Sequence, residues 1–567
     1  MNTLILLTLA CNTPSSNPDG DAPLDSEPIE EGEPGLNLAA QLEVQSEHFA
    51  TAGVCAECHE NADGASAMRD SKGDPIGQYD LWQATMMANA ARDPLFRAVV
   101  SAEVARNPGL QTEIEGTCLQ CHSPMAHQEA LLAGTTAPGL SENGLGESDL
   151  AQLALDGVSC TLCHQIQPDD LGEPASFNAG YTIGEDAEIF GPHADPFTNP
   201  MEMHTGFTPT QGDHILDAGH CGSCHTLKTH TIVDGVFTQT SFPEQTPFLE
   251  WQVSSFDEQG QSCQSCHMPT TDAYGETIVT RIARNPHGAD FGQIDERSPF
   301  GRHIFRGGNA FMLSILRDNA EQLKPRASTA AFDAQIARER DFLGTQTAKV
   351  MVLASKVEDD LSVSVRVDNL AGHKLPSAHP SRRAWLEVVV LDETGTVLFS
   401  SGTPNSDGLL VDMSGTPLAS EAIGGGVHDH YQAITSEDQV QIYQSLMLDA
   451  SGAYTWDLLA AATYAKDNRI LPTGWDGAQA QALGVQAEGI GEDPDFIAGS
   501  DHAHYQLSGL AEEAAEVRVR LLYQSVSPRY VAELAETETQ EVQDFVKMYQ
   551  AADRAPEVLG ESVLSLY

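Results

Sequence analysis

The chain has 567 residues, with 82 acidic against 29 basic side chains and a formal charge of −53. A surface of that sign repels nucleic acid and anionic lipid and excludes both as partners. It suits plain solubility or docking to a basic partner protein, and the length leaves room for two or three domains.

The N-terminus reads MNTLILLTLAC. A short apolar run, Leu4 to Ala10, ends in Cys11. Residues 1–11 therefore read as a lipoprotein-like signal with Cys11 as the lipidated residue, although no Lys or Arg precedes the run. No later stretch approaches the roughly 18 apolar residues that span a bilayer, so a lipid anchor is the one membrane attachment expected. Residues 12–45, rich in Asp, Glu, Pro, Ser and Gly, bury too little apolar surface to order themselves and read as a tether.

Residues 46–344 hold all remaining cysteines among loops and short helical patterns. Tyr79 to Arg106 predicts a helix with a break at Pro94, and Gly307 to Lys324 a second one. Near residue 345 the period changes. Leu361, Val363, Val365 and Val367 alternate with polar residues as a half-buried strand does. Trp385–Leu391 is a second strand, Asp392–Gly395 a turn, Val397–Phe399 a return, and Val517–Leu521 alternates again. Residues 345–530 thus predict a cysteine-free β-sandwich, and residues 531–567 a helical tail centred on Ala532–Ala552. The fold class expected is α+β and multidomain.

The chemistry sits in five C-x-x-C-H motifs: Cys55, Cys58, His59; Cys118, Cys121, His122; Cys160, Cys163, His164; Cys221, Cys224, His225; and Cys263, Cys266, His267. At this composition chance supplies roughly 0.007 copies, so the pattern is chemical rather than accidental. Two thiols three residues apart on a helical turn can form thioethers to the two vinyl groups of one porphyrin, and the next imidazole reaches its iron. Zinc ribbons do not require a His after every second Cys, and a redox dithiol does not recur five times. The expected cofactor is five covalent haems c.

Successive first cysteines lie 63, 42, 61 and 42 residues apart, so motifs two and three map onto four and five by a shift of 103. Under that shift His127 maps onto His230, and Gly157-Val-Ser-Cys160 onto Gly260-Gln-Ser-Cys263, which implies a duplicated haem pair. Nine further histidines between residues 46 and 310 compete for the distal positions: His48, His127, His193, His204, His214, His220, His230, His287 and His303. His127 and His230 stand out by the repeat.

From Cys55 to about Leu313 the chain resembles multihaem cytochromes of the cytochrome c-552/4 type, in LWQATMMANAARDP, GVSCTLCHQI, MEMHTGFTP, CGSCHTL, SCQSCHMP and RHIFRGGNAFML. The later segments AGHKLPSAHPSRRAWLEVVV, DQVQIYQSLM and AKDNRILPTGW look like the β-rich domain that accompanies such haem domains. The resemblance implies an electron carrier with mostly bis-histidine haems, and supports His204 and His303, then His214, as distal ligands. Relatives often carry a His five residues after the Trp of a W-x-x-S segment; here Trp82 is followed by Thr85 and Met87. Met87 either ligates iron, raising that haem's potential, or packs a helix; if nothing fills the position, that haem is open.

The functional expectation is a multihaem cytochrome relaying electrons between redox proteins of a bacterial cell envelope, exported to the periplasm or held at the outer membrane as a lipoprotein. The alternative is an oxidoreductase acting on a small nitrogen or sulfur compound at an open haem. A third reading makes the β-domain a docking module with the haems as passengers. His428, His430, His502 and His504 are spaced to share strand faces, as metal ligands or as structural histidines. Arg382 and Arg383 either meet haem propionates or flank a strand.

Overall fold

The computed structural model describes residues 43–137, 139 and 149–566. The expected signal with Cys11 and nearly all of the tether lie outside them. The last tether residues do not dangle, because Gln45 bridges Ala50 and the Val44 amide donates to Thr51.

Each motif lies on or at the end of a short helix: Ala52–His59, Gln111–His122, Cys160–Cys163, Ala218–Gly222 and Cys263–His267. Glycines break the chain ahead of two of them. Gly157 and Gly260, equivalent under the 103-residue shift, adopt φ of 65° and 66°, a left-handed geometry that glycine reaches without strain. The repeat ends there, however. His127 lies on the helix Pro124–Leu132, whereas His230 lies on the strand Leu227–Val233. That strand turns through Asp234-Gly235, both at positive φ, into Val236–Gln245, the Asp-Gly hairpin signature.

The helix expected over Tyr79–Arg106 divides into Gln78–Trp82 and Pro94–Arg106 with turns between. Side chains capture the intervening backbone: Asn89 donates to the carbonyls of Gln83 and Thr85, and the Thr85 hydroxyl to that of Trp82. Pro94 opens the second helix rather than kinking one long helix, with Asp93 as its cap. Gly307–Lys324 is likewise two pieces, Ala310–Asp318 and Ala320–Leu323. A helix not anticipated, Thr329–Gln346, is capped by Ser328 and leads directly into the first long strand.

The second half is two facing sheets. One runs Ala433–Ile434, Ser500–Leu507, Asp360–Asn369, Ala348–Val357. The other runs Tyr454–Thr455, Ile442–Asp449, Arg383–Leu391, Glu516–Gln524, Glu557–Ser565, with Val397–Ser401 added on Arg383–Leu391 and Ala461–Asp467 on Ile442–Asp449. One apolar cluster, including Val363, Val365, Leu386, Val388, Tyr505 and Val519, fills the space between them. Asp360–Asn369 alternates in burial as its sequence predicts, while Arg383–Leu391 is buried on nearly every residue because its other face packs on Leu410, Val440 and Leu522. The expected helical tail is helical over Pro528–Leu534 and Gln540–Ala551 only. The chain then returns as the strand Glu557–Ser565 on Glu516–Gln524, where an open sheet edge offers backbone partners.

The expected boundary near residue 345 separates helix from sheet but not one core from another. A single apolar cluster joins Leu95 and Ala98 of the first half, Leu313 and Phe332, Met447 and Leu458 of the sheets, and Tyr530 and Phe545 of the tail. All described residues belong to one folded unit. Among them, no helix is long and apolar enough to cross a membrane.

Candidate functional site: a shared cavity for covalent haem

All ten motif cysteines and all five motif histidines line one connected, largely apolar cavity of about 1880 Å³. That is roughly twice the upper volume of an ordinary small-molecule site, so it suits several large flat groups rather than one ligand. The cysteines are unpaired and stand in for the thioether sulfurs of attached haem. Their contacts also set the order of the motifs in space. The thiol of Cys55 meets Cys160, Cys121 meets Cys224, and Cys221 meets Cys263. Cys163 lies within electrostatic reach of both Cys224 and Cys221. Motif one therefore adjoins three, three adjoins four, and four also adjoins two and five.

Two imidazole pairs face each other across this space. The rings of His164 and His303 have centroids 6.3 Å apart and planes 15° apart; those of His267 and His373 are 6.4 Å and 16°. Such rings are too far apart to stack. With a nitrogen–metal bond of about 2.0–2.1 Å on each side and about 1.1 Å from nitrogen to ring centre, two imidazoles trans across one metal have centroids about 6.3 Å apart. The outer nitrogens are already engaged. Nδ1 of His164 bonds the Phe190 carbonyl at 2.6 Å, His303 that of Gly301 at 3.0 Å, His267 that of Arg306 at 2.5 Å and His373 that of Lys374 at 2.9 Å. Each bond fixes the tautomer that leaves Nε2 free for a metal. Burial also keeps the rings neutral, as a ligand must be: it holds His267 and His59 down at about 4 and His303 at about 3.

Two of the three remaining motif histidines are oriented in the same way, His59 Nδ1 on the Ile282 carbonyl and His122 Nδ1 on that of Ala90. Phe96 stacks on the His122 ring at 3.6 Å. His225 faces the cavity from deep in the molecule; burial lowers its pKa first, then Arg382 and His373 nearby.

Of the distal candidates, His204, His230, His303 and Met87 line the cavity, as do His193 and His220. His204 is drawn to Glu57 inside the first motif and pairs with that carboxylate. His127 and His214 lie outside the residues that line the cavity. The helix after Pro124 carries His127 away, and His214 spends Nε2 on the Ile166 carbonyl at 2.9 Å.

Sequence reasoning missed His373 and His379. Both lie on the segment 370–382, which leaves the sandwich between Asp360–Asn369 and Arg383–Leu391 and forms one wall of the cavity. His379 lies near His122, and burial holds it at about 3. The signal lies in AGHKLPSAH, beyond the motif-bearing region and inside the β-rich half. An ion cluster seals this wall: Lys374 pairs with Asp467 at 2.6 Å, Arg469 with Asp467 at 2.7 Å and with Glu250 at 3.1 Å, and Ser377 donates to Glu250. Against burial, which acts the other way, Arg469 and Lys374 hold Asp467 at about 2. Arg382 faces the cavity, whereas Arg383 is sealed on Glu421 at 2.6 Å and opens a strand.

Residues 54–165, spanning the first three motifs, match the family of cytochrome c554 and c-prime. A pentahaem cytochrome c552 from Thermochromatium tepidum has a similar solved structure, at 15% identity over 92% of this chain and 100% of that chain, with a TM-score of 0.49. No curated protein matches the chain. The donors that surround the cavity and the family match across its first three motifs agree in pointing to covalent haem.

Proposed function

We propose that this protein carries five covalent haems c and relays electrons between redox proteins of a bacterial cell envelope. The observation that carries the reading is the motif order, in which the attachment sites adjoin one another from the first motif to the fifth, by thiol contact or within electrostatic reach. Bound haem c supplies one-electron iron chemistry. The chain's own part is to hold the groups together, exclude water and offer a second imidazole: His303 opposite His164, and His373 opposite His267. At these two sites iron held by both imidazoles would have no open position for a substrate, which supports a carrier over an oxidoreductase. The sandwich is part of the haem enclosure rather than a separate docking module, because its segment 370–382 walls the cavity. Export is inferred from the attachment chemistry, which needs reduced thiols and haem outside the cytoplasm. The Cys11 signature adds an outer-membrane lipid anchor to that reading.

Mass measurement of the mature protein together with EPR of its ferric form tests the proposal. Five haems added to the polypeptide mass and low-spin signals are expected. A colourless protein or fewer haems would overturn the count. A high-spin signal that shifts on adding nitrite or hydroxylamine would replace the carrier with the oxidoreductase.

A further inference from the structure

We propose that the sandwich carries a metal site independent of haem, in which Asp495, His502 and His504 bind one divalent ion of the zinc class. The strand Ser500–Leu507 places Ala503 and Tyr505 in the core, so His502 and His504, two residues apart, project together from its outer face. The chain reaches this strand through a tight reversal in which Ile497 and Ser500 exchange backbone bonds of 3.0 and 3.1 Å. The reversal folds Asp495 back over the strand. Its amide donates to the Asp493 carboxylate at 2.8 Å, and its own carboxylate meets His504 Nε2 at 3.0 Å.

Ligand atoms of the three residues all lie within 4.8 Å of one another. Donors bound at about 2.0–2.2 Å to a tetrahedral ion sit about 3.3 Å apart, a gap that side-chain rotation closes without moving the strand. Two imidazoles and a carboxylate, with water in the fourth position, form a donor set of the zinc type. The side chains of His504 and Asp495 are 34% and 38% exposed, which leaves an entry path.

Two carboxyl side chains also lie beneath the site. Asp501, on the same strand, is fully buried, and its Oδ1 has no hydrogen-bond partner. Asp493 is buried against His430 at 3.0 Å. On its other side His430 Nδ1 meets the side-chain amides of Gln441 and Asn468. Both amides are oriented by the backbone, Gln441 accepting from the Tyr431 amide and Asn468 from that of Gln444. Across the sheet, Arg366 is opposite His502 but is committed to Asp368 at 2.6 Å. An ion at the surface would clamp the loop to the strand.

The test is zinc chloride added to the purified holoprotein, followed by dialysis, metal analysis and a melting curve. One zinc per chain beyond the haem iron is expected, with a raised melting temperature. Replacing both exposed histidines (His502→Ala with His504→Ala) should remove that equivalent while the haem spectrum stays unchanged. Asp495→Asn should weaken binding by at least about tenfold, the loss that even an outer-shell change brings. Wild-type protein that retains no zinc, or a double variant that retains as much, would overturn the site.

Discussion

Two buried carboxyl groups at the cavity edge should make this protein's stability fall as pH rises toward neutrality. Glu103, on the helix Pro94–Arg106, accepts the Leu458 amide at 2.8 Å and so ties the haem half to the sandwich. Glu244 lies on the hairpin strand Val236–Gln245. Both are 4% exposed. Burial raises each from 4.5 to about 7, with Asp457 adding to the rise at Glu103. A carboxyl raised in this way keeps its proton in the folded state while the unfolded chain has released it. The stability it contributes is fully present below about 4.5 and is lost as pH rises through about 7. At about 1.4 kcal/mol per pH unit, that gap amounts to about 3 kcal/mol for each group. The double variant Glu103→Gln with Glu244→Gln retains the carbonyl oxygen that accepts from Leu458 and cannot titrate. Thermal unfolding of the holoprotein by far-UV circular dichroism, at intervals from pH 5 to pH 8, reads the difference. Wild-type melting temperature should fall across that range by several degrees more than that of the variant. Parallel curves would refute the assignment of buried, protonated carboxyls.

Two further sets of variants bear on the site itself. His303→Ala and His373→Ala should each convert one low-spin iron to high-spin, read by EPR of the ferric protein, and the double variant should convert two; an unchanged spectrum in either single variant removes that histidine from the ligand set. Gly157→Ala and Gly260→Ala meet the same left-handed backbone but different surroundings, since an added Cβ lies 2.5 Å from the Met87 carbonyl at Gly157 and meets nothing within 4 Å at Gly260. Denaturant unfolding should show a loss of about 1–2 kcal/mol at Gly260, from backbone strain alone, and a larger one at Gly157. Equal losses would mean that the Met87 contact relaxes without cost.

The sequence alone determined the parts of this protein whose physics is local. Thioether attachment needs two thiols and an imidazole within five consecutive residues, so the ten cysteines and five histidines of the motifs were legible at once. Strand alternation at Leu361–Val367 and the turn at Asp392–Gly395 are local in the same sense, and both appear where their pattern puts them. Only the tertiary structure could decide what lies opposite each motif histidine. His373 reaches His267 from more than a hundred residues away, on a loop whose direction depends on Lys374, Asp467 and Glu250 meeting in the interior. The repeat that singled out His127 and His230 extends through the glycines before the motifs but not beyond. One histidine follows a proline into a helix and the other enters a hairpin, so equal spacing leads to different surroundings. Likewise, the change of period near residue 345 marks a change of secondary structure, while the division into domains is decided by side-chain packing, which here runs straight across it.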